Sequence, residues 1–167
     1  MTDESADSRR ALGSPALART VYPPAADQCS AGDVHTCVLA VVSDIIALRR
    51  VVGDVARELF FTPTDRTRAM TATSEIARNA IVHGGGGGAR LDSQHGSGAF
   101  VRVLIADEGA GITDVAAAMR GGASAIGARG LGLNSAQILA AVFAIETAPG
   151  RGTKVTMTFW RRSEFAK

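Results

Sequence analysis

A two-layer α+β sandwich, with helices packed on one face of a mixed sheet, is the fold class this sequence predicts. Three observations lead to it. Apolar periods alternate along the chain in the order β, α, α, β, β, α, α, β, β, so helices arrive as neighbours and strands are gathered partly at the end. That order suits segregated layers and not a parallel, doubly wound sheet. The chain has 167 residues, enough for one domain with a sound core. Apolar residues make up 46% of it, yet no run approaches the roughly 18 uninterrupted apolar residues of a membrane span.

The elements follow in order. Residues 1–32 are rich in Ser, Ala, Asp, Arg and Pro, with "YPPAAD" at 22–27, and read as a flexible N-terminal extension without strand or helix period. From Asp33, "DVHTCVLAVV" alternates as a strand with Val34, Thr36, Val38, Ala40 and Val42 on one side. Ser43 suits the N-cap of a helix, "DIIALRRVVGDVARELFF", that ends near Phe61. "TPTDRTRAMTATSEIARNAIVHG" is a long helix, with Pro63 in its first turn after Thr62 and Gly84 as its stop. A glycine-rich loop leads to a short strand around Ala89–Leu91, the loop "DSQHGSG", and a strand "AFVRVLIAD" over 99–107. A short helix around Asp114–Met119 precedes the glycine-rich "RGGASAIGARGLGL". The helix "NSAQILAAVF" and the strands "AIETA" and "TKVTMTFW", joined by the turn "PGRG", close a domain spanning 33–162, with 163–167 as a tail.

Composition narrows the partners. A net charge of +2 and 5% aromatics provide neither the basic stripe nor the stacking surface of a nucleic-acid binder. The opening "MTDESADSRR" carries acids and is followed by no apolar stretch, so it reads as cytoplasmic, with no secretory signal and no membrane partner. Cys29, His35 and Cys37 lack the fourth ligand of a structural zinc site. Cys37 reads instead as a small buried hydrophobe in a strand.

The chemistry concentrates in a few short stretches. Glu75, Asn79 and His83 stand four residues apart on the long helix and project from nearly one face, just before five consecutive glycines. An amide oxygen such as that of Asn79 can hold magnesium together with ligand phosphates, because that ion takes hard oxygen donors and keeps several waters. A carboxylate one turn earlier, Glu75, can take the proton from an attacking hydroxyl in phosphoryl transfer. His83, at the helix end, reads more as a capping or packing residue than as a chemical group. "DEGAG" places Asp107 at a strand end before Gly109 and Gly111, where a flat ligand can approach the backbone and the acid can accept from an exocyclic amine. Acidic glycine turns are ordinary, and this one decides nothing alone. Gly130 and Gly132 in "ARGLGLNS" open a helix, where free N–H groups and the positive dipole end attract phosphate, or else form a flexible loop with a cap. No Gly-Lys-Ser or Gly-Lys-Thr of a Walker loop occurs in the chain.

Taken together, the boxes Glu-x-x-x-Asn-x-x-x-His, Asp-x-Gly-x-Gly, Gly-x-Gly and Gly152-Thr153 resemble the Bergerat (GHKL) ATP-binding fold over residues 34–160. Gyrase, MutL, the ninety-kilodalton heat-shock chaperone and histidine kinases share that fold. "TATSEIARNAIVHGGGG", "IADEGAGI" and "GRGTKVTMTFW" look closest to the anti-sigma-factor group of serine/threonine kinases, and within it to RsbT-type switch kinases of the stressosome. The resemblance implies ATP and Mg2+ as cofactors, Glu75 as general base and Asn79 on magnesium. It also implies Asp107 on the adenine amine, Gly109 and Gly111 shaping the base pocket, Gly130 and Gly132 beneath the phosphates, and Thr153 near the adenine. Its implied partners are a STAS-domain protein as substrate and a metal-dependent protein phosphatase activated by binding. An anti-sigma factor that sequesters a sigma factor is the alternative, and a nucleotide-gated binding module without transfer activity is a third. About 19 residues separate Gly111 from Gly130, which implies a short lid. Arg129 and the N-terminal extension depart from the group's pattern.

Overall fold

Strict alternation of burial along one strand shows where the core lies. The computed structural model describes residues 18–22, 33–120 and 132–162. Its elements are β1 (Ala18–Tyr22), β2 (Val34–Leu39), α1 (Val42–Glu58), α2 (Pro63–Gly84), β3 (Gly87–Gln94), β4 (Phe100–Asp107), α3 (Val115–Met119), α4 (Gly132–Leu139), β5 (Val142–Thr147) and β6 (Thr153–Trp160). In β4, Val101, Val103 and Ile105 are buried and point to the helices, while Arg102, Leu104 and Ala106 between them are only half-buried. Burying each such aliphatic side chain stabilises the fold by about 1.5–3 kcal/mol. The same row continues across the sheet through Cys37, Ala89, Ile105, Val155 and Ile145, and Leu48, Val52, Ile76 and Ala80 close it from the helix side. Helix α2 touches β4, β6 and β3, with α1 and α4 both packed against it. The two-layer α+β sandwich expected from the sequence is the architecture found.

The sheet has the order β1-β5-β6-β4-β3-β2. Every ladder in it is antiparallel, which corrects the mixed sheet expected from the sequence. The reason is topological. Between β2 and β3 the chain makes two helical passes, α1 out and α2 back, and so returns to the end it left. Strands β4 and β5 do point the same way, but β6 lies between them, so no parallel ladder forms.

Local readings change as well, among them the helix read over "NSAQILAAVF", which ends at Leu139 while Val142 and Phe143 open β5. Residues Ala18–Tyr22, read as part of an extension without strand period, form β1 and pair with β5 from Ala18 opposite Thr147 to Tyr22 opposite Phe143. Five residues on a sheet edge are held by backbone pairing to a distant strand, which leaves little local pattern. Val41, not Ser43, is the N-cap of α1, and the Asp44 carboxylate reaches back to accept from the N–H of Ala40 (2.8 Å) and Val41 (2.9 Å). Helix α1 ends at Glu58, where Phe60 adopts φ of 59° and lies exposed. In contrast, Pro63 opens the first turn of α2 and Gly84 ends it as expected, and Thr62 caps the helix, its Oγ1 accepting from the Asp65 N–H at 3.1 Å. Cys37 is half-buried in β2 against the core, and Cys29 lies outside the described residues. No described helix is long and apolar enough to cross a membrane.

Candidate functional site

The last turns of α2, the end of β4 and the start of α4 enclose a cavity of about 970 Å³. That volume lies in the range of small-molecule and cofactor sites. Glu75, Asn79 and His83 all line it, as their four-residue spacing requires, with Glu75 and Asn79 half-buried and His83 exposed near the rim. Asp107, Gly111, Gly132 and Thr153 line it too. Ile76, Ile105, Ile112, Leu133 and Val155 supply an apolar wall of the kind a flat base stacks on.

Asp107 is fixed by its own loop. Its Oδ1 accepts from the Gly109 N–H at 2.9 Å, leaving Oδ2 without a partner among the described residues and able to accept from a ligand. Gly109 does not line the cavity. A Cβ there would overlap the Gly84 backbone and lie 2.9 Å from the His83 carbonyl oxygen, so Gly109 shapes the pocket from behind by letting the loop lie against α2. Gly84 does the same from the helix side, because a Cβ on it would overlap the Asp107 side chain.

The five glycines therefore have separate places. Gly84 ends α2, Gly85 turns in the left-handed region at φ of 73°, and Gly87 and Gly88 already belong to β3. The run that reads as a flexible loop is a helix end, a turn and a strand start packed against Asp107. Strand β3 accordingly begins before the Ala89 expected from the sequence.

At the other end of the cavity α4 opens at Gly132, beside Asn79. A Cβ at Gly132 would stand 2.9 Å from Asn79 Nδ2, so glycine there lets the helix start approach the amide without displacing its side chain. The first turn of α4 leaves backbone N–H groups and the positive dipole end beside Asn79, a setting that favours phosphate. Gly130 and Arg129 lie outside the described residues. The amide oxygen of Asn79 is a hard donor that fits magnesium held jointly with phosphate oxygens and water.

Sequence reasoning missed Thr147. It is fully buried at the end of β5, and its hydroxyl joins the Asp107 loop to the turn before Thr153. Alternation from Phe143 through Ile145 places Thr147 on the helix side, the one signal available for it. The junction is tight throughout: Gly150 N–H donates to Ala110 at 2.7 Å, and Gly152 N–H to Gly109 at 2.9 Å.

The sequence pattern of the histidine kinase-like ATPase domain matches residues 38–159, a span that contains every described wall of this cavity. The chain belongs to that family. Among histidine kinase-like ATPases, the serine/threonine-protein kinase RsbT of Bacillus subtilis (strain 168) is 33% identical over 120 residues, covering 71% of this chain and 90% of RsbT. The crystal structure of the RsbU and RsbW domains of Rv1364c from Mycobacterium tuberculosis superposes with a TM-score of 0.54 at 20% identity. It covers 81% of this chain, which in turn spans 35% of that longer protein. The superposition places the histidine kinase-like fold on structural as well as sequence grounds.

Proposed function

We propose that this chain is an ATP-dependent serine/threonine-protein kinase of a partner-switching pathway. The observation that carries the reading is the meeting of Glu75, Asn79, Asp107 and Gly132 around one cavity. Asp107 accepts from the adenine amine and the apolar wall holds the base. The start of α4 receives the phosphates. Magnesium, held by Asn79 and phosphate oxygens, would neutralise charge on the phosphate chain.

Glu75 lies half-buried on α2 one turn before Asn79 and faces the cavity. In the transfer step a substrate serine or threonine oxygen bonds to the terminal phosphorus while the bond from phosphorus to the β,γ-bridging oxygen breaks. The hydroxyl proton passes to the Glu75 carboxylate, and ADP leaves. Similarity to a serine/threonine-protein kinase supports a protein hydroxyl as the acceptor, and the substrate in this reading is a cytoplasmic STAS-domain antagonist or scaffold. The freed kinase then activates a metal-dependent phosphatase by binding it.

Glu75→Ala tests the reading. A positioned base contributes on the order of 10²- to 10⁴-fold to rate but little to nucleotide affinity, because its partner is the substrate hydroxyl. The variant is expected to bind ATP and the STAS-domain partner nearly normally, and to transfer phosphate at least about a hundred-fold more slowly. Transfer at the parental rate would remove Glu75 from the role. Nucleotide binding with no transfer by either form to any partner would favour a binding module.

A further inference from the structure

Behind the cavity floor lies a hydroxyl with more connections than strand pairing needs. Asp107, Thr153 and Thr147 stand in one row across β4, β6 and β5, on the helix side of the sheet. Thr153 lines the cavity, whereas Thr147 is fully buried and does not. Thr147 Oγ1 accepts from the Ile112 N–H at 2.9 Å, donates to the Gly152 carbonyl at 2.8 Å, and lies 3.1 Å from Thr153 Oγ1.

The direction of the last contact follows from counting. A threonine hydroxyl has one proton and two lone pairs. A carbonyl can only accept, and Gly152 is the shorter contact, so the Thr147 proton is committed there. The Ile112 N–H takes one lone pair. What Thr147 still offers Thr153 is its second lone pair, which makes Thr153 the donor. With its proton held in that way, Thr153 turns only lone pairs toward the cavity. Asp107 beside it is also an acceptor. The two side chains side by side at this spot, Asp107 and Thr153, therefore both offer acceptors.

We propose that Thr147 is a positioning residue that fixes Thr153 as a hydrogen-bond acceptor, so that the pocket selects a purine by the donating amino group at its C6. The proposal rests on reading the cavity as a nucleotide site. Its chemistry asks for a ligand edge that donates where Asp107 Oδ2 and Thr153 Oγ1 lie. Without the Thr147 hydroxyl, Thr153 regains its proton, can turn it to the ring nitrogen next to C6, and no longer demands a donor.

Calorimetry with ADP and with purine riboside 5′-diphosphate tests this, since the second ligand differs only in carrying hydrogen in place of the 6-amino group. The parent protein is expected to favour ADP by about ten-fold or more. Thr147→Val keeps the shape and should cut that preference at least about three-fold, whereas Thr147→Ser keeps the hydroxyl and the preference. In a Thr153→Val background, Thr147→Val should leave the ratio unchanged, because its effect runs through Thr153. A merely structural role would weaken both ligands alike and hold the ratio, which overturns the proposal. If Thr147→Val does not fold, Thr153→Val alone decides: a parental ratio there overturns it, and a reduced ratio supports it. Equal binding of both ligands by the parent overturns the proposal while leaving the nucleotide site in place. Binding of neither removes the nucleotide reading and the proposal with it.

Discussion

Asp107 is held from three sides, by the Gly109 N–H, by the close approach of Gly84, and by the β4–β6 pairing that sets it opposite Thr153. A carboxylate so restrained loses little freedom when it accepts from a base, and substitution removes a charge-assisted bond without opening the pocket. Asp107→Asn is therefore expected to weaken ATP binding by about 1.5–3 kcal/mol, ten- to a hundred-fold, read by calorimetry. Unchanged affinity would detach Asp107 from the base. The adjacent glycines separate two kinds of constraint. Gly85 has open space around its missing Cβ but a φ of 73°, so Gly85→Ala should cost about 1–2 kcal/mol through the backbone alone and leave ATP affinity intact. Gly84→Ala would drive a methyl into the Asp107 side chain, so it should lower both stability and ATP affinity, measured by thermal unfolding and titration.

Among the elements, α1 carries two features that decide its ends. Phe60 holds a left-handed φ of 59° at 80% exposure, so its ring contributes little burial while its backbone is strained. Phe60→Gly is expected to raise Tm by about 2–4 °C if it recovers on the order of 1 kcal/mol. At the other end, the N–H groups of Ala40 and then Val41 hold the Asp44 carboxyl below its ordinary range. Because the folded value is depressed, its contribution is present above the ordinary carboxylate range and is lost as pH falls through the folded value. Asp44→Ala should thus lower Tm at neutral pH, and the gap to the parent should close in acid.

Helix α2 was readable because its signals are local: Thr62, Pro63 and Gly84 mark its ends, and spacing alone puts Glu75, Asn79 and His83 on one side. Strand β4 was readable for the same reason, through its alternating valines and isoleucine. What escaped is what depends on distant partners. Strand β1 exists through β5, the reach of Asp44 back to Ala40 competes with an equally plausible Ser43 cap, and Thr147 gains its meaning only when Ile112 and Gly152 arrive. The glycine run reads as a loop because the side chain that excludes a Cβ at Gly84 lies 23 positions away in sequence, at Asp107.

For the whole molecule, the site joins both helices and strands, so a bound nucleotide ties α2, α4, β4 and β6 together. Ligand at about a hundred times its Kd should stabilise the fold by ~2.7 kcal/mol, seen as a rise in Tm of several degrees. The same nucleotide concentration should move the Tm of Asp107→Asn less, and an equal shift would place the binding elsewhere.

Strand β6 comes later in the chain than β4 and β5, yet lies between them. While the polypeptide is being synthesised, a nascent chain that has emerged only through β5 holds two strands pointing the same way with nothing to join them. Their inner edges, Val103 and Ile105 on one and Phe143 and Ile145 on the other, have no Met157 or Val155 to pack beside. A half-made chain therefore lacks two things at once, because Thr153 arrives with the same strand that closes the core. A chain stopped after Gly150 is expected to stay unfolded by circular dichroism and to retain no ATP. Supplying the missing strand as a separate peptide is the experiment that would show whether the gap itself is a template waiting to be filled.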